Sequence, residues 1–335
     1  MKPGIIIAIV IGLVAATAIA GYVGFGAVFA AIGRVGWRGL LTLVLYSVVP
    51  FTLLGCAWAA IGHDEPWRRW PVFIWARVVR DSAGELLPFS HLGGFVVGAR
   101  AAVERGVSPT AAFATTVVDV TTELIAQLGF TGLGIGLLIA RLGTHSDHNA
   151  LIGAAAVGLL LTTAGAVAFI VLQRRGGILI ERLIARFIPG AAERTVEVVE
   201  AIDRLYHHPR RIAAAVIFHL CAWVASATGV WLALKVAGIH IDLAAMLAVE
   251  SLVGAVRSAA FAAPMGIGVQ EASYALLGPL FGLGPELSLA VSLLKRARDI
   301  AIGVPALLTW QGLEGVRLVK GGLDEPDQDP EPGAS

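Results

Sequence analysis

The sequence predicts an all-α polytopic membrane protein with about seven or eight transmembrane helices and two re-entrant helix hairpins. Hydrophobic residues make up 57% of the 335 residues and charged residues 15%, with a mean hydropathy of +0.79. Soluble globular domains are less apolar and more highly charged. The apolar runs also reach the roughly 20 residues that one helical crossing needs. Two proline- and glycine-containing segments, 86–94 and 263–272, interrupt this apolar sequence.

The apolar runs give the order of the membrane segments. Residues 4–32 are apolar without a polar break, which is too long for the hydrophobic region of a signal peptide. We therefore expect a retained first helix, although the triplet Ala18–Ile19–Ala20 resembles a cleavage site. The further predicted spans are residues 40–60, 109–140, 150–172, 212–236, 243–262 and 287–310.

These runs imply one transmembrane domain, residues 1–320, with a first half at 1–172 and a second half at 212–320. Between the halves, residues 173–211 carry eight arginines and have apolar residues at helical spacing, including Leu183 and Phe187. We expect an amphipathic connector on the cytoplasmic membrane surface, by the positive-inside rule. The acidic, proline-rich residues 321–335 are predicted to be disordered.

The charge and cysteine content narrow the function classes. The 25 basic residues are matched by 24 acidic ones, so nucleic acid is not an expected partner. Cys56 and Cys221 lie far apart in apolar runs and lack metal-ligand spacing. No HExxH, GxSxG or Walker motif is present. We expect no metal site, no cofactor and no enzymatic activity.

The two broken segments are the first candidate functional feature. Non-helical backbone survives at membrane depth only where protein buries it or a water-filled cavity lies beside it. Each segment has the length of two half-helices joined by a turn, whose N-termini favour anionic groups. The candidate glycines are Gly93, Gly94, Gly266 and Gly268. The alternative is that these glycines only permit close helix packing.

A weak internal correspondence links the two halves. Pro88, Gly106 and Pro109 recur 176 residues later as Pro264, Gly282 and Pro285. Each set follows a charge-bearing helix and precedes another, which suggests a duplicated unit of helix, broken segment and helix. The sequence leaves open whether the two units run parallel or inverted.

Charged residues within the predicted spans are the second candidate feature, because each costs about 2.5–3.5 kcal/mol at the centre of a bilayer. Such residues tend to mark transport pathways. The alternative is simple neutralisation at helical spacing, as for Arg77 with Asp81 or Lys295 with Asp299. The residues predicted to bind substrate are Arg77, Arg80, Pro88, Gly93, Gly94, Arg100, Asp119, Glu123, Glu250, Arg257, Pro264, Gly266, Gly268, Gln270, Glu271, Arg296, Arg298 and Asp299.

The motif Pro264-Met-Gly-Ile-Gly-Val-Gln-Glu271 resembles the P-x-G-x-G-x-x-E signature of the lysylphosphatidylglycerol synthase transmembrane, or flippase-like, family. The likeness covers nearly the whole chain and is closest to the hopanoid-biosynthesis-associated membrane proteins called HpnL. Met265 stands where that family often has glycine, and Gln270 stands where it often has arginine. Members that transfer an aminoacyl group carry a large cytosolic catalytic domain, which is not found in this sequence.

This resemblance implies a multi-pass protein of the bacterial inner membrane that moves or handles a polar or modified lipid, with a hopanoid as one candidate. We expect Arg257, Arg296 and Arg298 to contact anionic oxygens, and Glu271, Asp119 and Glu123 to orient those arginines or bind a cation. Two alternatives remain open: a scaffold that holds hopanoid-synthesising enzymes at the membrane, and an intramembrane lipid-modifying enzyme.

Overall fold

The computed structural model describes residues 25–62, 67–87, 90–142, 160, 163, 167, 192–260 and 267–323. Every regular element in these ranges is helical. The longer helices are α1 (Phe25–Tyr46), α2 (Val48–Ile61), α3 (Trp70–Leu86), α4 (Ser90–Glu104), α5 (Pro109–Leu142), α6 (Ala192–Tyr206), α7 (Pro209–Val236), α8 (Leu243–Ala259), α9 (Val269–Leu277) and α10 (Pro285–Leu323).

Three helical stretches of the described residues are long and apolar enough to cross a membrane: Ile32–Ile61, Pro109–Arg141 and Pro209–Val236. Large apolar side chains are exposed along them, such as Leu45, Leu133 and Ile217. Many exposed apolar side chains along one helix are typical of a surface that faces lipid. The chain is therefore a multi-pass membrane protein. The spans predicted at 4–32 and 150–172 lie mostly outside the described residues, as does the connector before residue 192.

Helices α3 and α4 are shorter than the roughly 20 residues that span a bilayer, and they pack closely against each other. Helix α3 ends at Leu86, and Leu87 has extended backbone dihedrals. The next residue is a proline, whose ring disfavours helical geometry in the residue before it. Gly94 and Gly98 then lie where a Cβ atom would be 2.7 Å from Arg80 O and 2.6 Å from Arg80 Cβ, respectively. These glycines allow the two helices to approach closely, as small residues do in membranes.

One turn geometry occurs twice, 176 residues apart. Gly106 (φ 91°) and Gly282 (φ 89°) have left-handed backbone. The next amide donates to a carbonyl five residues back in both turns, from Val107 to Ala102 and from Leu283 to Gly278. This bond pattern is typical of a glycine-terminated helix end. A long helix then begins at a proline, which suits the first helical position.

The helices on either side of these turns pack in a reciprocal manner. We call α3–α5 the first helix trio and α8–α10 the second helix trio. The first helix of the first trio, α3, packs against α10, and the first helix of the second trio, α8, packs against α5. In each trio, therefore, the last helix packs against the first helix of the other trio.

Helix α6 is amphipathic, and its apolar side is covered. Val198, Ile202 and Leu205 are buried in one cluster with residues of α2, α5 and α7. Glu200 and Arg204 are exposed on the other side. The described part of the predicted connector is therefore packed onto the helical bundle. At the C-terminus, α10 continues to Leu323, three residues into the predicted tail.

The backbone of Gly106 generates a stability prediction. A Cβ atom at Gly106 meets no atom within 4 Å, so only the left-handed backbone opposes a larger residue there. We expect Gly106→Ala to lower the free energy of unfolding by about 1–2 kcal/mol. The matched control is Gly132→Ala, since Gly132 also has open space but lies inside α5. Alanine favours helix over glycine by about 1 kcal/mol. In thermal unfolding in detergent, the midpoint temperature should thus fall for Gly106→Ala and rise for Gly132→Ala relative to the wild type. Equal midpoints of the two variants would contradict this account.

Candidate functional site

A first group of charges joins α3 to α5. Arg77 and Arg80 lie three positions apart on α3, and Asp119 and Glu123 lie four apart on α5, so each pair shares one helix face. Asp119 Oδ2 accepts hydrogen bonds from Arg77 Nη1 at 2.9 Å and from Arg80 Nη1 at 2.5 Å. Glu123 accepts 2.7 Å bonds from Nη2 of both arginines. Two guanidinium groups and two carboxylates thus form one network.

Two further residues complete this group. Arg77 Nε donates to Asp81 at 2.9 Å, which confirms that this predicted pair forms. From α7, His219 Nε2 lies 3.1 Å from Asp119 Oδ1. Asp119 and His219 are fully buried, whereas the side chain of Asp81 is 26% exposed. We call these six residues the first charge cluster: Arg77, Arg80, Asp81, Asp119, Glu123 and His219.

A second group of charges lies where the two helix trios meet. Arg257 of α8 donates from Nη2 to both carboxylate oxygens of Glu85 on α3, at 2.6 and 2.8 Å. On α10, Arg298 Nη2 lies 2.5 Å from Asp299. Asp299 is also within electrostatic range of Glu85, Arg257 and Lys295.

The same group continues into α8 and α9. Lys295 Nζ donates to Glu250 at 2.6 Å, and Tyr274 Oη donates to the other oxygen of Glu250. Asp299 therefore pairs with its neighbour Arg298, and the alternative pairing of Lys295 with Asp299 is replaced by Lys295 with Glu250. We call the following residues the second charge cluster: Glu85, Glu250, Arg257, Tyr274, Lys295, Arg298 and Asp299.

The start of α9 forms a third polar contact. Gly268 has a φ of 83°, and its amide donates to Glu271 Oε2 at 2.8 Å. The other oxygen of Glu271 accepts a 2.8 Å bond from Arg296 Nε on α10. Gln270 donates to Ser292 Oγ at 3.1 Å and to its carbonyl oxygen at 3.2 Å. The Gln-Glu pair of the motif thus holds α9 against α10.

Comparison with known protein families gives a match that covers the residues of these polar contacts. A family model described as the lysylphosphatidylglycerol synthase transmembrane region matches residues 5–306. The chain belongs to this family. The matched range includes both charge clusters and the start of α9. Membership makes this chain a membrane protein involved in lipid handling. No curated protein and no solved structure matches it significantly.

The structure brings most of the predicted site residues of this family member into the two clusters and the α9 contact. Gly94 is buried against α3, so its contacts are those of a packing glycine. Gly93 is half-buried beside it, and Arg100 is exposed on α4. Pro88, Pro264 and Gly266 lie outside the described residues.

The predicted partners of the arginines need correction. Glu271 does orient an arginine, Arg296, as expected. Asp119 and Glu123 instead bind the arginines of α3, because both acids face that helix. The carboxylate that holds Arg257 is Glu85.

Sequence reasoning missed five residues of the two clusters as site residues: Asp81, Glu85, His219, Tyr274 and Lys295. Glu85 lies eight positions after Arg77, so helical periodicity places both on a similar side of α3. That spacing was the available signal for Glu85. Tyr274 and His219 carry no comparable local signal, because their partners come from other helices.

The first cluster predicts a large loss of stability when one carboxylate is removed. Asp119→Asn removes the carboxylate that accepts from Arg77, Arg80 and His219 and places an amide NH2 among these buried donors, so the free energy of unfolding should fall by about 3–5 kcal/mol. Asp203→Asn is the control, because Asp203 pairs with His207 in an exposed position on α6. That change should stay within about 0.5 kcal/mol. Unfolding in detergent, followed by tryptophan fluorescence, measures both, and a similar small effect in both variants would contradict a structural role for the cluster.

Proposed function

We propose that this protein moves a polar or modified lipid between the leaflets of a bacterial inner membrane. The headgroup passes along the second charge cluster while the acyl chains stay in lipid. In this proposal α3–α4 and the segment before α9 are re-entrant hairpins of a duplicated unit, and they enclose the polar path. A hopanoid-related lipid, as in the HpnL proteins, is one candidate substrate.

The nitrogens of Arg257 that donate to no described residue carry this proposal. Arg77 uses Nε, Nη1 and Nη2 in hydrogen bonds to three carboxylates, so its donor groups are engaged in structure. Arg257 makes both of its bonds from Nη2 alone, and its other nitrogens donate to no described residue. Its side chain is 18% exposed and that of Glu85 is 21% exposed. A guanidinium with spare donors in an accessible position suits a phosphate or carboxylate of a lipid headgroup.

The position of the ion pair between Arg257 and Glu85 supports a path between the two trios. The pair connects α3 to α8, the first helices of the two trios. Arg298 lies beside it, and Nε of Arg298 is buried without a hydrogen-bond partner among the described residues. Charges among membrane helices are costly unless they are paired. Such charges also tend to mark transport pathways. A headgroup that enters between the trios would meet these arginines together.

Lipid movement is measured with purified protein in liposomes that contain fluorescently labelled phosphatidylglycerol, phosphatidylethanolamine or phosphatidylcholine. A membrane-impermeant reductant bleaches only the outer leaflet, so the bleached fraction over time reports exchange between leaflets. We expect the protein to accelerate exchange of at least one anionic or zwitterionic lipid over protein-free liposomes. Unaccelerated exchange of every lipid, with and without a proton gradient, would refute the proposal.

Exchange of the two charges separates headgroup binding from simple pairing. Arg257→Glu combined with Glu85→Arg keeps an ion pair but moves the guanidinium to α3. If Arg257 binds the headgroup, we expect near-wild-type thermal stability and at least tenfold slower lipid movement, which corresponds to about 1.4 kcal/mol. The matched control exchanges the exposed pair Glu200 and Arg204, which should leave lipid movement unchanged. Full lipid movement in the first double variant would assign the pair a structural role only.

A scaffold role is the second candidate, and the charged outer side of α6 favours it. Glu200 and Arg204 are exposed there while the opposite side of the helix is packed. A scaffold for hopanoid-synthesising enzymes would tolerate Arg257→Gln and Glu271→Gln. Changes in the connector, at Leu183 and Phe187, would abolish its effect in cells instead. Comparison of these variants in a deletion strain distinguishes the two functions.

A further inference from the structure

His219 has one nitrogen in the first charge cluster and one without a partner among the described residues. Asp119 Oδ2 binds two arginines, so this carboxylate is ionised and accepts hydrogen bonds only. The contact between Asp119 Oδ1 and His219 Nε2 therefore requires a proton on Nε2. In the neutral imidazole, Nδ1 then carries a lone pair. Nδ1 is buried and has no hydrogen-bond partner among the described residues.

The charges of the first cluster do not balance when His219 is neutral. Its two guanidinium groups face three carboxylates, Asp81, Asp119 and Glu123, which leaves one negative charge in excess. The second cluster is balanced, with three cations against three carboxylates. An excess charge in a low-dielectric interior is costly. One proton on Nδ1 of His219 would make the first cluster neutral as well.

We propose that Nδ1 of His219 binds and releases one proton in the membrane interior, and that lipid movement through the protein depends on this proton. Binding forms one N–H bond between the Nδ1 lone pair and a proton from a hydronium ion, which becomes water, and it leaves the bond to Asp119 in place. The dependence of lipid movement rests on the function proposed above, whereas the proton site itself does not.

Few other titratable side chains on the helices around His219 could bind and release this proton. Asp119 and Glu123 come from α5, and Arg77 and Arg80 bind these two carboxylates from α3, where Asp81 pairs with Arg77. Helices α1, α2 and α8 also pack against α7. Their titratable or charged side chains are Arg34, Arg38 and Tyr46 on α1, Cys56 on α2, and Glu250 and Arg257 on α8. Of these, Glu250 and Arg257 are already paired in the second cluster.

The proton site is tested by nitrogen NMR of the full-length protein, labelled at histidine and reconstituted in lipid nanodiscs. His219→Gln identifies the His219 signals, and its amide keeps a donor for Asp119. We expect Nδ1 to gain a proton as the pH is lowered while Nε2 stays protonated throughout. One unchanging state from pH 5 to 9, or titration at Nε2, would overturn the proposal. His240→Gln, at an exposed position, should leave these signals unchanged.

Asp81→Asn tests whether the charge excess causes proton binding. This change removes one of the three carboxylates and leaves His219 in place, so the cluster is neutral without the proton. At the pH where half of wild-type His219 is protonated, the ratio of protonated to neutral imidazole should fall at least tenfold. An unchanged ratio would overturn the proposal, as would an infrared carboxylic-acid band that Asp81→Asn removes, because the proton would then reside on Asp81.

The second arm measures lipid movement in liposomes with and without a pH difference across the membrane. We expect a difference of one pH unit to change the wild-type rate at least threefold, and His219→Gln to show no such change. An equal response in both proteins would overturn the dependence on this proton. If the wild-type protein moves no lipid at all, the proposed function fails, and the NMR experiment alone then decides whether the proton site exists.

Discussion

The arrangement of this protein depends on neutralising charges that lie deep among membrane helices. An isolated ion there costs several kcal/mol, and a nearby opposite charge with good hydrogen-bond geometry offsets much of that cost. Asp119 and Glu123 satisfy this requirement only when α5 stands beside α3 in one register, since both acids meet the same two arginines. Apolar contacts do little to select one helix face over another, because lipid and protein are similarly apolar. The charges therefore select which helix faces meet.

The two helix trios meet this requirement with opposite polarity. In the first trio two arginines on the first helix bind the acids Asp119 and Glu123 on the last, whereas in the second trio Glu250 on α8 binds Lys295 on α10. At the 176-residue offset, Asp119 corresponds to Lys295 and Asp81 corresponds to Arg257. If the trios were identical, Glu85 would face an aspartate at the position of Arg257. The change of sign turns that repulsion into an ion pair that joins the trios.

The membrane class, the helical fold, the family and the helices that carry charges could all be predicted from the sequence. These features depend on hydropathy, composition and motifs, which can be read locally along the chain. It also predicted the pair of Arg77 with Asp81, whose partners lie one helical turn apart. It could not predict the partner of Lys295, because Glu250 competes from another helix. The partner of His219 could not be predicted for the same reason, because Asp119 is 100 residues away in sequence. Pairing between helices depends on packing, which local spacing does not determine.

The ion pair of Arg257 with Glu85 also explains how the proposed headgroup site would remain stable when empty. Without Glu85, the guanidinium of Arg257 would lie uncompensated among helices, a state that costs several kcal/mol. With Glu85 in place, an arriving phosphate exchanges one anionic partner for another, so the charge around Arg257 hardly changes. The released Glu85 is 21% exposed, so water or a cation can reach it. Arg77 lacks this freedom, because carboxylates already occupy all three of its nitrogens. The difference between these two arginines separates a site that can exchange partners from one that holds the helices together.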